Sequence, residues 1–203
     1  MSQAALRWPA GAAALILLFL ACFELGGAID PAVAAAAAAI RADSPAVLYS
    51  ALFLTNLGSG PMTLGLAVVG AVLLVRRRQQ SRAAILLLAV IIERLAVDGL
   101  KLFFGRARPL FDDSLVHVNS LSFPSGHAAN GLTAWLLAAC LVAPPPYRRP
   151  AIIAAVVVAM VVGATRVLLG VHWLSDVVGG WAAGLMAVML ALAADRRLRP
   201  TEQ

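Results

Sequence analysis

Residues 150–194 read PAIIAAVVVAMVVGATRVLLGVHWLSDVVGGWAAGLMAVMLALAA. Two apolar blocks, Pro150 to about Thr165 and Trp173 to Ala194, flank a short stretch that carries Arg166, His172 and Asp176. A helix that crosses a bilayer needs roughly 20 apolar residues. The stretch therefore reads as a membrane hairpin with titratable groups confined to its mouth.

Working outward, four more blocks have the same character: Pro9 to Ala28, Asn56 to Val75, Ala83 to Phe104 and His127 to Ala143. Composition agrees with six spans. Of 203 residues 62% are hydrophobic and 13% charged, too few charges to coat a soluble domain of that length. The expected fold is all-α: a polytopic membrane helical bundle of six transmembrane helices forming a single domain, residues 1–203. The first block has a long apolar stretch, an interrupting Glu24 and no clean cleavage site, so a retained span is expected rather than a signal peptide. Between the first two spans lie an alanine run, Ala34 to Ala39, and then Ser44-Pro45, a capping hydroxyl followed by proline at the first helical position. Two short interfacial helices are expected there. Gly58-Ser59-Gly60-Pro61 marks a turn or helix break. Cys22 and Cys140 sit inside apolar stretches without metal-ligand spacing and read as small membrane-core side chains.

A net charge of +6 in a soluble protein would point to nucleic acid. Here the arginines cluster between apolar blocks, so they set orientation and no nucleic-acid partner is expected. Arg7 precedes span one, Arg76, Arg77, Arg78 and Arg82 join spans two and three, Arg148 and Arg149 join spans four and five, and Arg196, Arg197 and Arg199 follow span six. With six alternating spans these clusters share one side, which the positive-inside rule makes cytoplasmic along with both termini. Lys101, Arg106 and Arg108 fall on the opposite, outer side, against the trend. Three segments emerge on that side: Lys101 to Pro109, Pro124 to His127, and Thr165 to Asp176.

Each segment has a plain reading and a chemical one. Lys101 offers a compact charge and Arg108 a planar fork that grips two phosphate oxygens; alone, both would equally well snorkel to lipid headgroups. Arg106 is the better candidate for the headgroup role. In Pro124-Ser125-Gly126-His127, glycine permits close backbone approach, and the Ser125 hydroxyl with the N–H groups of a helix start makes an anion site. Read plainly, it is a helix cap with an interfacial histidine. His127 stands at its mouth, suited to proton transfer. A spacing of four puts Asp176 on the helix face of His172. A carboxylate there fixes the imidazole tautomer and leaves the other nitrogen free to attack phosphorus, while Arg166 neutralises phosphoryl oxygens. The plain reading is a satisfied histidine–aspartate pair. A metal held by His127, His172 and Asp176 is disfavoured by the surrounding cations, so no metal and no cofactor are expected.

The pattern Lys101…Arg108-Pro109, Pro124-Ser125-Gly126-His127, Thr165-Arg166…His172…Asp176 resembles the three motifs of the type-2 phosphatidic acid phosphatase superfamily, over a motif core of residues 101–176. Thr165 stands where that family usually has serine. The resemblance implies a metal-independent lipid phosphatase with a phosphohistidine intermediate. By carry-over, His172 is the nucleophile, Asp176 its orienting partner and His127 the proton donor that later activates water. Lys101, Arg108, Ser125, Gly126 and Arg166 bind the phosphoryl group. The implied partners are a lipid phosphate substrate and the membrane lipids around it, at the outer face of a bacterial inner membrane. Undecaprenyl diphosphate is favoured by family analogy over phosphatidylglycerophosphate or phosphatidate. Two other functions remain open: phosphotransfer to an acceptor other than water, and a non-catalytic lipid-binding protein on the same fold.

Other polar residues read more simply. Glu93, Arg94 and Asp98 inside span three are expected to pair within the bundle, with Asp98 positioning Lys101 as the sharper option. Asn130 reads as an interhelical hydrogen-bond partner, His117 with Asp112 and Asp113 as solvated loop residues, and Trp173 and Trp181 as packing or interface anchors.

Overall fold

Ser44 and Ser59 begin helices as their neighbourhoods demand. Each hydroxyl accepts from a backbone N–H three residues on, Val47 N at 3.5 Å and Met62 N at 3.4 Å, with Pro45 and Pro61 in the first turns. The computed structural model describes residues 3–109 and 118–198. Among these, every regular element is helical: α1 (Gln3–Asp43), α2 (Pro45–Leu54), a 3-10 turn (Thr55–Gly58), α3 (Gly60–Arg76), α4 (Gln80–Phe104), α5 (Gly126–Leu141), α6 (Pro145–Leu168) and α7 (Leu174–Leu198). Asp112, Asp113, His117 and Arg199 lie outside the described residues, as does the side chain of Arg7.

The element between the first two spans differs from expectation. The alanine run belongs to α1, which bends by 69° between Glu24 and Gly26; only α2 is a separate short helix. Alanine carries the strongest helix propensity, so the run extends α1 through Asp43. Gly26 lies where α1 meets the start of α7, and a Cβ there would fall 2.3 Å from Ser175 Oγ. The turn at Gly58–Pro61 is observed, as a 45° bend between Pro45–Gly58 and Gly60–Arg76.

Six spans are not recovered by length and composition. α6 and α7 are each long and apolar enough to cross a membrane, and the number rises to four if each bent pair is one span. α4 fails on charge, with Arg82, Glu93, Arg94, Asp98 and Lys101 along its 25 residues. α5 has 16 residues, about 24 Å of helix against a hydrocarbon core of about 30 Å. α5 is also the centre of the bundle, packed on α3, α4, α6 and α7, so most of its surface meets protein. α6 starts before the expected Pro150, because Pro145 and Pro146 already open its first turn.

Small residues let α7 approach α5. A Cβ on Gly180 would lie 2.5 Å from Ser125 O, and one on Gly184 would lie 2.7 Å from Ala129 O. This is small-xxx-small packing of membrane helices. The two bundle ends are chemically distinct. At one, Arg77 donates to Val142 O and Arg82 pairs with Asp195 at 3.0 Å. At the other stand Lys101, Arg108, Gly126, Arg166 and His172.

Replacing Gly180 with alanine should destabilise the detergent-solubilised protein by about 1–3 kcal/mol, the usual cost of overpacking. Gly99→Ala meets nothing within 4 Å and should leave the melting temperature at or above the parent value. Equal melting temperatures for the two variants would contradict the close α5–α7 contact.

Candidate active site

Asp176, in the first turn of α7, is fully buried. A carboxylate there persists only if its oxygens are filled. Oδ1 accepts from Arg106 Nη1 at 2.9 Å. Oδ2 accepts from Trp173 N at 2.9 Å and from Ser122 Oγ, and lies 3.3 Å from His172 Nδ1. Arg106 then bridges outward, from Nη1 to Ser175 Oγ at 2.6 Å and from Nη2 to Asp30 Oδ2 at 2.8 Å. Asp30 also accepts from Ser175 N at 2.9 Å and from Ser175 Oγ. The result is a chain from α1 to the imidazole: Asp30, Arg106, Asp176, His172.

The backbone brings the pieces together. Gly105 ends α4 in a left-handed conformation with φ 61°, which turns the chain towards Arg106 and Arg108. Ser122 N donates to Arg106 O, and Ser125 N to Asp176 O, so the 118–125 segment is tied to both neighbours. Phe123 anchors it, fully buried against the rings of Phe19, Phe23 and Phe104, with Gly179 leaving room for its edge.

His172 Nε2 lies 3.0 Å from Arg108 Nη1. A guanidinium only donates, so Nε2 accepts and the ring proton sits on Nδ1, towards Asp176. Burial, reinforced by Arg108, Arg166 and Lys101, holds this imidazole well below the ordinary histidine range, so the ring is neutral with a lone pair on Nε2. Arg108 itself is lowered by burial, with Asp176 opposing. It is fixed by Ser120 O at 2.6 Å, Ser120 Oγ at 3.0 Å, Leu121 O at 3.2 Å and Val171 O.

A cavity of about 450 Å³ opens onto these groups. Lys101, Arg108, Gly126, His127, Arg166 and His172 all line it, so six of the eight residues expected from sequence converge there. The other two, Ser125 and Asp176, are buried behind it. Lys101 Nζ donates to Leu121 O at 2.7 Å and Ser122 O at 3.2 Å, which leaves its third proton for the cavity. Arg166 Nη1 donates to Thr55 Oγ1 at 2.8 Å. Its buried Nε has no protein partner, nor has the buried Ser125 Oγ. Unpaired donors around a cavity suit an anion.

Several expectations change. Arg106 is no headgroup cation; it is clamped between two buried carboxylates. Lys101 bonds to backbone carbonyls rather than to Asp98. Glu93, Arg94 and Asp98 do not pair among themselves: both Glu93 oxygens are buried without partners, and Arg94 and Asp98 line the cavity. Asn130 also lines the cavity, its amide oxygen unpaired. Trp173 and Trp181 do pack, donating to Ala107 O and Ala159 O, and both cysteines are free. Sequence reasoning missed Asp30 and Ser122. An acid inside an apolar helix was the available signal for Asp30; nothing marked Ser122.

The site is thus a histidine backed by a buried aspartate, facing a cation-lined cavity in an apolar helical bundle. The PAP2 superfamily model matches residues 82–200, and the chain belongs to that superfamily. It is 38% identical over 116 residues to phosphatidylglycerophosphatase B of Bacillus subtilis (strain 168), a match spanning 55% of this chain and 57% of that relative. It is also similar to the crystal structure of a transmembrane PAP2-type phosphatidylglycerolphosphate phosphatase from Bacillus subtilis. That similarity has a TM-score of 0.84 and 32% identity, over 94% of this chain and 98% of the other.

Arg106→Met should cost about 3–5 kcal/mol, because it leaves two buried carboxylates uncompensated. Arg106→Lys, which keeps the charge, should recover part of that loss in a thermal melt. A melt unchanged by Arg106→Met would contradict the clamp.

Proposed function

We propose that this chain is a metal-independent lipid phosphatase that removes a terminal phosphate through a phosphohistidine intermediate. One observation carries the reading: His172 Nε2, its lone pair set by Asp176 on the far side of the ring, faces Arg108 at 3.0 Å in a cavity shared with Lys101, Arg166 and His127. The relatives favour a glycerolipid substrate. Both are phosphatidylglycerophosphate phosphatases by name, which moves the preference from the polyprenyl diphosphate expected from sequence to phosphatidylglycerophosphate.

The chemistry follows from the geometry. The phosphoryl group docks on Lys101, Arg108, Arg166 and the start of α5. The Nε2 lone pair forms a bond to phosphorus as the ester P–O bond breaks, and the leaving oxygen takes a proton from His127. The ring becomes cationic, with its Nδ1–H held against Asp176. Water then attacks phosphorus and gives its proton to His127. The P–N bond breaks, its electron pair returns to Nε2, and phosphate departs. Every proton and electron pair is restored.

The site lies at the bundle end opposite Arg77 and Arg82, so the positive-inside rule supports an outward-facing active site in a bacterial cytoplasmic membrane, and six spans would then leave both termini cytoplasmic. In this reading α4 and α5 complete the six, with their polar and short stretches shielded by neighbouring helices.

Purified protein in detergent should release phosphate from phosphatidylglycerophosphate with no added acceptor, and a chelator should leave the rate within about twofold. His172→Ala should lower kcat by at least about 10³-fold. Full activity in that variant, or a strict requirement for a divalent metal, would overturn the mechanism. Product formation only with an added acceptor would assign phosphotransfer instead.

A further inference from the structure

We propose that Arg94 binds a second phosphate of the substrate, one that a glycerol-sized spacer separates from the reacting phosphoryl group. This rests on the phosphatase reading above and names the substrate class for the same cavity: lipids with two phosphates in series.

Arg94 precedes Lys101 by seven residues on α4, which places it on nearly the same face and about 10.5 Å along the axis. Both residues line the cavity that holds His127 and His172. The motif cations there are partly engaged by the protein and keep their remaining donors for the reacting phosphoryl group: Lys101 bonds Leu121 O and Ser122 O, Arg108 bonds Ser120 and Val171, and Arg166 bonds Thr55. Arg94 makes no hydrogen bond or ion pair among the described residues, so its N–H donors are uncommitted. Asp98, one turn away, lines the same cavity without closing an ion pair to it.

Gly60 makes the place for this guanidinium. A Cβ on Gly60 would lie 1.6 Å from Arg94 Nη1 and 2.7 Å from Cζ, so the guanidinium end of this long side chain rests directly against the Gly60 backbone. Arg94 is exposed where it borders the cavity; a guanidinium at membrane depth is costly unless it faces such a cavity, and such residues mark ligand paths. A planar fork is suited to two non-bridging oxygens of a phosphodiester.

The offset selects among candidate lipids. In phosphatidylglycerophosphate the terminal and diester phosphates are joined through three carbons. In a diphosphate they share one oxygen, and in phosphatidate there is no second phosphate. A cation two helical turns from Lys101 matches the first case.

The test compares Arg94→Met and Arg94→Lys with the parent protein in mixed micelles. The readout is kcat/KM for phosphatidylglycerophosphate divided by that for phosphatidate of the same acyl chains. Arg94→Met should lower this ratio about 10- to 100-fold, chiefly through KM, and Arg94→Lys should restore part of it. An unchanged ratio in Arg94→Met would overturn the proposal, whatever the absolute rates. If the parent hydrolyses neither lipid, the phosphatase reading fails separately. Calorimetric binding of the deacylated headgroup, glycerophosphoglycerol phosphate, against glycerol 3-phosphate then decides for Arg94. Loss of the preference for the two-phosphate probe in Arg94→Met supports the subsite, and retention of that preference overturns it.

Discussion

The Asp176 carboxylate is the constraint around which the cavity end of the bundle is arranged. It is buried completely, yet two oxygens collect four protein groups from three parts of the chain: Arg106, Ser122, Trp173 N and the His172 ring. Removing water from a carboxylate is expensive, and only a full set of donors offsets it. Those donors in turn fix where the chain must run. The 105–109 exit of α4 has to reach the α7 start, the 118–125 segment has to lie alongside it, and α1 has to bend so that Asp30 can balance Arg106.

This explains why a residue on the first helix matters at a site built from the last ones. Asp30 lies outside the stretch matched by the family model, residues 82–200, yet it shares Arg106 with Asp176. An arginine bound only to Asp176 would withdraw charge from the group that faces the imidazole. The second carboxylate shares the guanidinium and offsets that pull. Gly26 serves the same arrangement, because any Cβ there would collide with Ser175 and Asp30.

Much of the site was legible in the sequence because its logic is local. The four-residue spacing of His172 and Asp176 keeps them close although His172 sits in the bend before α7 and only Asp176 is in its first turn, and Lys101, Arg108, His127 and Arg166 line the same cavity. The residues that escaped were those whose role depends on distant partners. Arg106 resembles any interfacial arginine until Asp30, 76 residues earlier, is seen beside it. Arg94 and Asp98 looked like an internal pair because helical spacing permits one; in the structure the Arg94 guanidinium lies against Gly60 instead. Helix lengths were misjudged for similar reasons. An alanine run continues a helix when nothing stops it, so α1 runs on through Asp43, whereas α5, Gly126–Leu141, lies close to the His127–Ala143 expected.

The central claim is that the Nε2 atom of His172 carries the phosphoryl group between its two transfers. It is tested most directly by rapidly quenching the working protein with lipid substrate at neutral to alkaline pH and locating the acid-labile phosphoryl group by peptide mass spectrometry. The account predicts a single phosphorylated position, His172, whose label builds up when His127 is replaced by alanine and water activation is lost. Phosphorylation of another residue, or turnover with no phosphorylated protein at any quench time, would contradict it.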